Sequence, residues 1–223
     1  MLTLILTESA LETIPKEIAN HPTVRQECKR RGKKPSEILL DSSKHYKAMQ
    51  KLEHFEKRGR PDIIHFCLLL AQDSVLNKKK MLRLFVHTYN DKVISINPAT
   101  RLPPSYNRFS GLIENLFSKE KIESSEQPLL SVEKKTLKQL LNKLKCNNAL
   151  ALEADAVKKD AGELSGLLSN DACVIMGGFP HGTFLDKSNA LTCIRKISIA
   201  SQELCAWTVA SMVLNAAERD IDK

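Results

Sequence analysis

The chain has 223 residues, 42% of them hydrophobic and 27% charged, which is ordinary globular usage and excludes disorder throughout. Its longest uncharged apolar run, residues 204–217, spans 14 residues, short of the roughly 18 that a membrane-spanning helix needs. The net charge of +8 is lopsided: residues 1–110 hold 20 Lys and Arg against 11 Asp and Glu, a net of +9, and the remainder holds 14 against 15. The basic first half therefore points to a polyanionic partner, nucleic acid before any acidic small molecule.

Residues 3–7 read as a buried strand rather than part of a signal peptide, because no Lys or Arg precedes the apolar stretch. A helix is expected from Ser9, as N-cap, to about Ala19. Residues 25–34 carry six basic side chains and one acid, with Gly32 and Pro35 nearby, and predict a solvated basic loop. A short strand is expected over 36–41. A helix follows over 43–57, with Tyr46, Met49 and Leu52 or Phe55 on its inner face. Residues 63–71 are almost continuously apolar, as in a strand buried on both faces. Residues 82–88 and 93–96 flank Tyr-Asn-Asp-Lys and predict a hairpin, and a helix is expected over 105–118.

The polar stretch 119–128 is the best internal boundary, and leucines at helical spacing predict a helix over 132–144. Short strands are expected at 149–153, 173–176 and 196–199, the last leading into a helix over about 203–218. Strands alternating with helices predict an α/β fold with a largely parallel sheet. The six cysteines at 28, 67, 146, 173, 193 and 205 include no CxxC pair. Zinc-site spacing is thus missing, and reduced core thiols in a cytoplasmic protein are expected.

Four segments carry candidate chemistry. Gly177-Gly178-Phe179-Pro180-His181-Gly182 follows a predicted strand directly, at the end of a parallel sheet where open α/β folds bind ligands. It is neither GxGxxG nor a P-loop, which disfavours a nucleotide-phosphate cradle and leaves a ligand loop or a plain tight turn. Residues 197–204 place small residues at a strand-to-helix junction, suited to backbone recognition of a cofactor or to an ordinary connection capped by Ser201. In Arg58-Gly59-Arg60-Pro61-Asp62, Pro61 holds Arg60 extended, and Asp62 either orients Arg60 for an anion or forms a structural ion pair with it. Around Pro98, Pro103 and Pro104, a stiff loop presents Arg101 and Arg108, a low-entropy arrangement for phosphate contacts. His65 and His87 read as core histidines, and His181 lies in the glycine loop. No Ser-His-Asp order, nucleophile elbow or HExxH motif is present.

Six segments in register are recognisable together: Arg-Gly-Arg-Pro-Asp-Ile-Ile-His (58–65), Val-His-Thr (86–88), Ile-Asn-Pro-Ala-Thr-Arg-Leu-Pro (96–103), Arg-Phe-Ser-Gly-Leu (108–112), Gly-Gly-Phe-Pro-His-Gly (177–182) and Ile-Ser-Ile (197–199). Through them the chain closely resembles the small-subunit ribosomal RNA pseudouridine-N1-specific methyltransferases of the SPOUT class, also called nucleolar essential proteins, in their compact archaeal form. The resemblance implies a single SPOUT-like domain over 1–223, with an RNA-binding part over about 25–118 and a cofactor-binding part over about 130–223. It implies a C-terminal trefoil knot, a family-specific β-rich or loop insertion, and a homodimer. It implies S-adenosylmethionine as methyl donor, held by Leu152, by Gly177 and Gly182, and by Ile199, Ala200, Ser201, Gln202, Glu203 and Leu204, with no metal. Arg60, Arg101 and Arg108 match positions that contact small-subunit ribosomal RNA, with Asp62 orienting Arg60. The chain carries Pro104 where the family often has Arg, and its 154–168 segment is longer and more charged than expected. The rival functions are a non-catalytic ribosome-assembly factor and a knotted ribose 2′-hydroxyl methyltransferase.

Overall fold

A computed structural model of the chain describes residues 1–124, 127–168 and 171–219. Strand β1 (Leu2–Ser9) is buried at every position, as a continuous apolar run in the middle of a parallel sheet should be. Its neighbours are β2 (Leu82–Thr88) and β7 (Ala172–Gly177), both parallel to it. Beyond β7 come β6 (Asn148–Leu152) and β8 (Arg195–Ile197), again parallel. On the other side β3 (Lys92–Ile96), β5 (Pro128–Lys134) and β4 (Lys121–Glu123) add antiparallel strands. The order is β4-β5-β3-β2-β1-β7-β6-β8, so the expected α/β fold holds, in a mixed sheet whose β2, β1, β7, β6 and β8 are parallel and whose β3, β5 and β4 are joined antiparallel.

One sheet face packs on α3 (Pro61–Asp73), α5 (Tyr106–Lys119) and α8 (Ala206–Glu218), with Leu4, Leu6, Ile64, Leu68, Phe109 and Val213 in the core. The other face packs on α6 (Leu137–Leu144) around Ile5, Ile175 and Leu191. A satellite core lies under α1 (Pro22–Arg31) and α2 (Ser42–Met49), built from Ile14, Val24, Leu40 and Met49. Short helices α4 (Val75–Lys78) and α7 (Ala161–Leu168) complete the chain. Among the described residues, no helix is long and apolar enough to cross a membrane.

Several expected elements differ. Residues 63–71 belong to α3, not a strand: Pro61 opens the helix and Asp62 sits in its first turn, while Ile63, Ile64, Cys67, Leu68 and Ala71 are buried at helical spacing and Phe66 and Leu70 face outward. The basic stretch 25–34 is mostly α1, started at Pro22 with His21 as N-cap and stopped by left-handed Gly32. The helix expected over 9–19 is absent: β1 continues to Ser9, whose hydroxyl donates to the Leu6 carbonyl, and only a 3-10 turn forms at Lys16–Ile18. Residues 36–41 contribute a single bridge, Thr13 to Leu39, rather than a strand. Helix α2 stops at Met49, and His54 at φ 51° breaks the predicted continuation. Its inner face is His45, Ala48 and Met49, which turns Tyr46 outward, 55% exposed.

The hairpin at 82–96 forms as expected, pairing Leu84 with Ile96 and His87 with Val93. The helix expected over 132–144 starts only at Leu137, where Thr136 and Gln139 make a capping box, because the residues before it extend β5. The polar stretch 119–128 contains β4 and the start of β5, with Ser125 and Glu126 outside the described residues. The cysteines are free: Cys67 and Cys173 are core thiols, with burial pushing Cys67 up to about 12, whereas Cys193 and Cys205 are exposed.

A buried acid anchors the basic arm. Glu114, on α5, accepts from both terminal nitrogens of Arg31 (2.8 and 2.7 Å), from Lys33 Nζ (2.7 Å) and from the Leu39 N–H (3.1 Å). Burial alone would raise its pKa, but the hydrogen bonds from Arg31, Lys33 and Leu39 outweigh it and leave it below the usual carboxylate range. A depressed folded pKa contributes stability above the unfolded value near ~4.3. That contribution disappears as pH falls through the folded pKa. Urea midpoints measured from pH 7 downward should therefore fall with acid in wild type and fall less steeply in Glu114→Gln.

Candidate functional site

The carboxyl ends of β6, β7 and β8 leave a cleft of about 170 Å³ between three loops. Its walls mix apolar residues, Leu152, Met176, Ile197 and Ile199 among them, with the glycine loop and the acidic residues Glu153, Asp155 and Glu203, of which Glu153 pairs with Lys196 at 3.0 Å. Such a lining suits an elongated ligand with a flat apolar part and a cationic or hydroxylated part.

Local chemistry shapes each loop. After β7, the Gly178 N–H donates to the Thr7 carbonyl (2.9 Å) and the Ala10 N–H donates to the Gly178 carbonyl (2.8 Å). A Cβ on Gly178 would stand 2.2 Å from Ser9 Oγ, and one on Gly177 would meet the Phe179 ring at 2.9 Å. Gly182 adopts φ +89°, open to glycine and strained for other residues. After β8, the Ser198 N–H donates to the Val157 carbonyl (3.0 Å) and the Lys159 N–H to the Ser198 carbonyl (2.8 Å), which ties the third loop to residues 157–159.

Of the residues expected to hold a cofactor, Leu152, Gly177, Gly182, Ile199, Ala200, Gln202, Glu203 and Leu204 line this cleft. Ser201 does not: it is exposed, and its hydroxyl accepts from Lys158 Nζ at 3.2 Å. Nor does Ser201 cap a helix, since α8 begins after Cys205.

Arg60 is the N-cap of α3, Arg108 lies in the first turn of α5, and Arg101 is in the proline loop that precedes α5. Arg60 donates through Nε and Nη2 to the two oxygens of Asp62 (2.9 and 2.8 Å), and this hydrogen bonding raises the arginine pKa further. The proline loop is pinned on both sides of Arg101: Thr100 Oγ1 donates to the Leu129 carbonyl (2.8 Å), and Leu102 is buried. Arg101, Pro104 and Arg108 are exposed. The Tyr106 hydroxyl donates to Asp41 at 2.7 Å, so the N-terminus of α2 joins the same surface. Burial, with Asp41 alongside, raises the Tyr106 pKa.

His65 is a satisfied core group, stacked 4.3 Å from Phe109 with Nε2 at 2.8 Å from the Pro103 carbonyl. His87 is buried between Thr7 and Asp91. His181 is an exposed cleft residue. The sequence reading passed over Lys57 and Glu8 behind the glycine loop and Glu12, which accepts both Nε and Nη2 of Arg58 (2.6 and 2.8 Å). Nothing local in the sequence separates these buried charges from solvated ones. Among the described residues, no group of three or more His, Cys, Asp or Glu is placed to hold a metal.

Parallel strands with a glycine-walled cleft at their ends, in a chain that also exposes Arg101 and Arg108, define a ligand-binding α/β protein with a basic surface. The family model described as EMG1/NEP1 methyltransferase matches residues 4–218, and the chain belongs to that family. It is 44% identical over 225 residues to the ribosomal RNA small subunit methyltransferase Nep1 of Pyrococcus furiosus, covering 100% of this chain and 98% of that relative. It is 44% identical over 221 residues to the Nep1 of Staphylothermus marinus, covering 97% and 95%. The crystal structure of Archaeoglobus fulgidus Nep1 bound to S-adenosylhomocysteine aligns with a TM-score of 0.90 at 38% identity over 99% of both chains.

Proposed function

We propose that the chain transfers a methyl group from S-adenosylmethionine to N1 of a pseudouridine in small-subunit ribosomal RNA, and serves small-subunit biogenesis in the cytoplasm. The observation that carries this reading is the glycine-walled cleft at the ends of β6, β7 and β8, in a fold matching a relative whose structure holds S-adenosylhomocysteine. The residues fit such a donor: side chains at 177 and 182 would obstruct or strain the loop, and the acidic residues Asp155 and Glu203 line the cleft that would take a cationic ligand.

When bound, the donor supplies an electrophilic sulfonium methyl carbon. The protein's share is alignment: holding nucleophile and methyl at near-attack distance accounts for most of the rate in such displacements. Arg60, fixed by Asp62, with Arg101 and Arg108, would hold the RNA while the target base leaves its stack at a cost of a few kcal/mol. Both Asp62 oxygens accept from Arg60, which supports an orienting role for Asp62.

The RNA-binding part would be residues about 25–118, with the family insertion within the chain, and about 130–223 a trefoil-knotted cofactor part. The ties between 157–159 and 198 support a chain threaded beside the cleft before α8. A homodimer is supported by an outward apolar stripe in which Phe66, 50% exposed, lies 5.5 Å from the Trp207 ring. Sedimentation equilibrium distinguishes dimer from monomer.

The deciding experiment is nucleoside mass spectrometry of pseudouridine-bearing rRNA incubated with the protein and labelled S-adenosylmethionine. Label on the pseudouridine ring supports the reading. Label on ribose supports the 2′-hydroxyl alternative, and RNA binding without label supports an assembly factor. RNA affinity should also fall steeply with salt. Arg101→Ala and Arg108→Ala should each reduce the log–log slope by about one if each neutralises one phosphate. An unchanged slope in both moves the footprint elsewhere, for example to exposed Arg25, Lys29 and Arg30 on α1.

A further inference from the structure

Lys57 lies one residue before the Arg58-Gly59-Arg60 turn, yet its side chain is turned inward and only 5% exposed. Its ammonium donates to the carbonyl of Thr183 and sits 3.5 Å over the Phe179 ring. Glu8 Oε2 lies 3.8 Å away. The same Glu8 carboxylate accepts the N–H groups of Leu185 (2.8 Å) and Asp186 (2.7 Å). An irregular loop beside a buried layer must satisfy its backbone groups somehow, and here an ammonium and a carboxylate do so from behind.

Three of the residues this pair touches or abuts, Phe179, Gly182 and Thr183, line the cleft. A Cβ on Gly182 would stand 3.3 Å from Lys57 Cε, so the lysine stem backs the loop where its backbone is left-handed. Lys57 and Glu8 do not line the cleft. Burial lowers the Lys57 pKa, and Glu8 partly restores it. Desolvating an ammonium is costly, and what faces it here is the loop and Glu8, with Glu56 adding a weaker favourable charge.

We propose that Lys57 is a positioning residue for methyl transfer, holding the 179–183 loop in the shape that admits the donor, from the segment that also carries the RNA-facing arginines. The inference rests on the proposed function. Its signature is a selective effect on the cofactor side: the loop it braces lines the cleft that would hold the donor, whereas Arg60 and Arg101 remain as they were.

The test uses the full chain as wild type, Lys57→Met and Lys57→Arg. It measures thermal unfolding, S-adenosylhomocysteine affinity by calorimetry, RNA affinity, and KM and kcat for S-adenosylmethionine. Lys57→Met should weaken S-adenosylhomocysteine about tenfold or more and raise KM for the donor in parallel. Its kcat at saturating donor should stay within about threefold and its RNA affinity within about twofold, since the loss falls on ground-state binding. Lys57→Arg keeps the charge and a donor to Thr183 and should recover part of the affinity, which serves if the Met variant does not fold. Cofactor affinity unchanged in the folded variants overturns the proposal while the proposed function stands. Equal losses in cofactor and RNA affinity also overturn it, marking a general structural role. Wild type that binds no S-adenosylhomocysteine overturns both.

Discussion

Gly182→Val is expected to bind S-adenosylhomocysteine about 100-fold more weakly than wild type, equivalent to ~2.7 kcal/mol, while RNA affinity stays within a few-fold. The loss comes from the backbone. Gly182 sits at φ +89°, a region where a β-branched residue is a severe outlier costing about 1–3 kcal/mol. The loop can relieve that strain only by rotating, and its neighbours Pro180, His181 and Thr183 line the cleft. The new side chain also enters with its Cβ only 3.3 Å from Lys57 Cε, disturbing the brace behind the loop. Gly178→Ala should behave differently. A Cβ there meets Ser9 Oγ at 2.2 Å and Ile64 Cδ1 at 2.8 Å, inside the main core, where overpacking costs about 1–3 kcal/mol. That variant should lose thermal stability first. Calorimetry beside thermal unfolding separates the two, and a Gly182→Val protein with native cofactor affinity would reduce the loop to a plain turn.

What could be read from the sequence follows from how local each signal is. The strands around the cleft were legible because short apolar runs bounded by polar or glycine residues need only their neighbours to be interpreted: β6, β7 and β8 form within two residues of expectation, whereas the ligand expected at their ends came from the family resemblance. The 63–71 segment was misread because an unbroken apolar run satisfies period 2 and period 3.6 alike. The helix signals were nevertheless present in Pro61 at the first helical position and Asp62 in the first turn. Helix α1 carried similar marks in Pro22 and Gly32, overshadowed by its charge. Lys57, Glu8 and Glu114 were illegible for another reason. Their burial depends on partners 126, 177 and 83 positions away in the chain, and no local pattern separates a lysine under a loop from one in solvent.

The largest mechanistic effect turns on Asp62, where two roles forecast different outcomes. As an orienting group, Asp62 keeps Arg60 in place through a two-point contact in which the side chains are 35% and 33% exposed. At that exposure the pair is worth about 1 kcal/mol or less. Asp62→Asn retains one oxygen to accept from Arg60 and still suits the first turn of α3, so single-turnover methylation should fall less than tenfold. Asp62→Gly removes the partner, the favourable charge near the positive end of the helix, and helix propensity of about 1 kcal/mol. It should therefore lower both the melting temperature and the rate. As a general base, Asp62 would make the two variants equally inactive, by the roughly 10²–10⁴ that acid–base catalysis contributes. The geometry favours orientation, because both carboxylate oxygens are engaged at 2.9 and 2.8 Å by the guanidinium, a two-point contact that fixes the direction of the Arg60 fork. Single-turnover rates of the two variants at saturating RNA and donor decide the matter: an Asn variant as inactive as the Gly variant makes Asp62 the base.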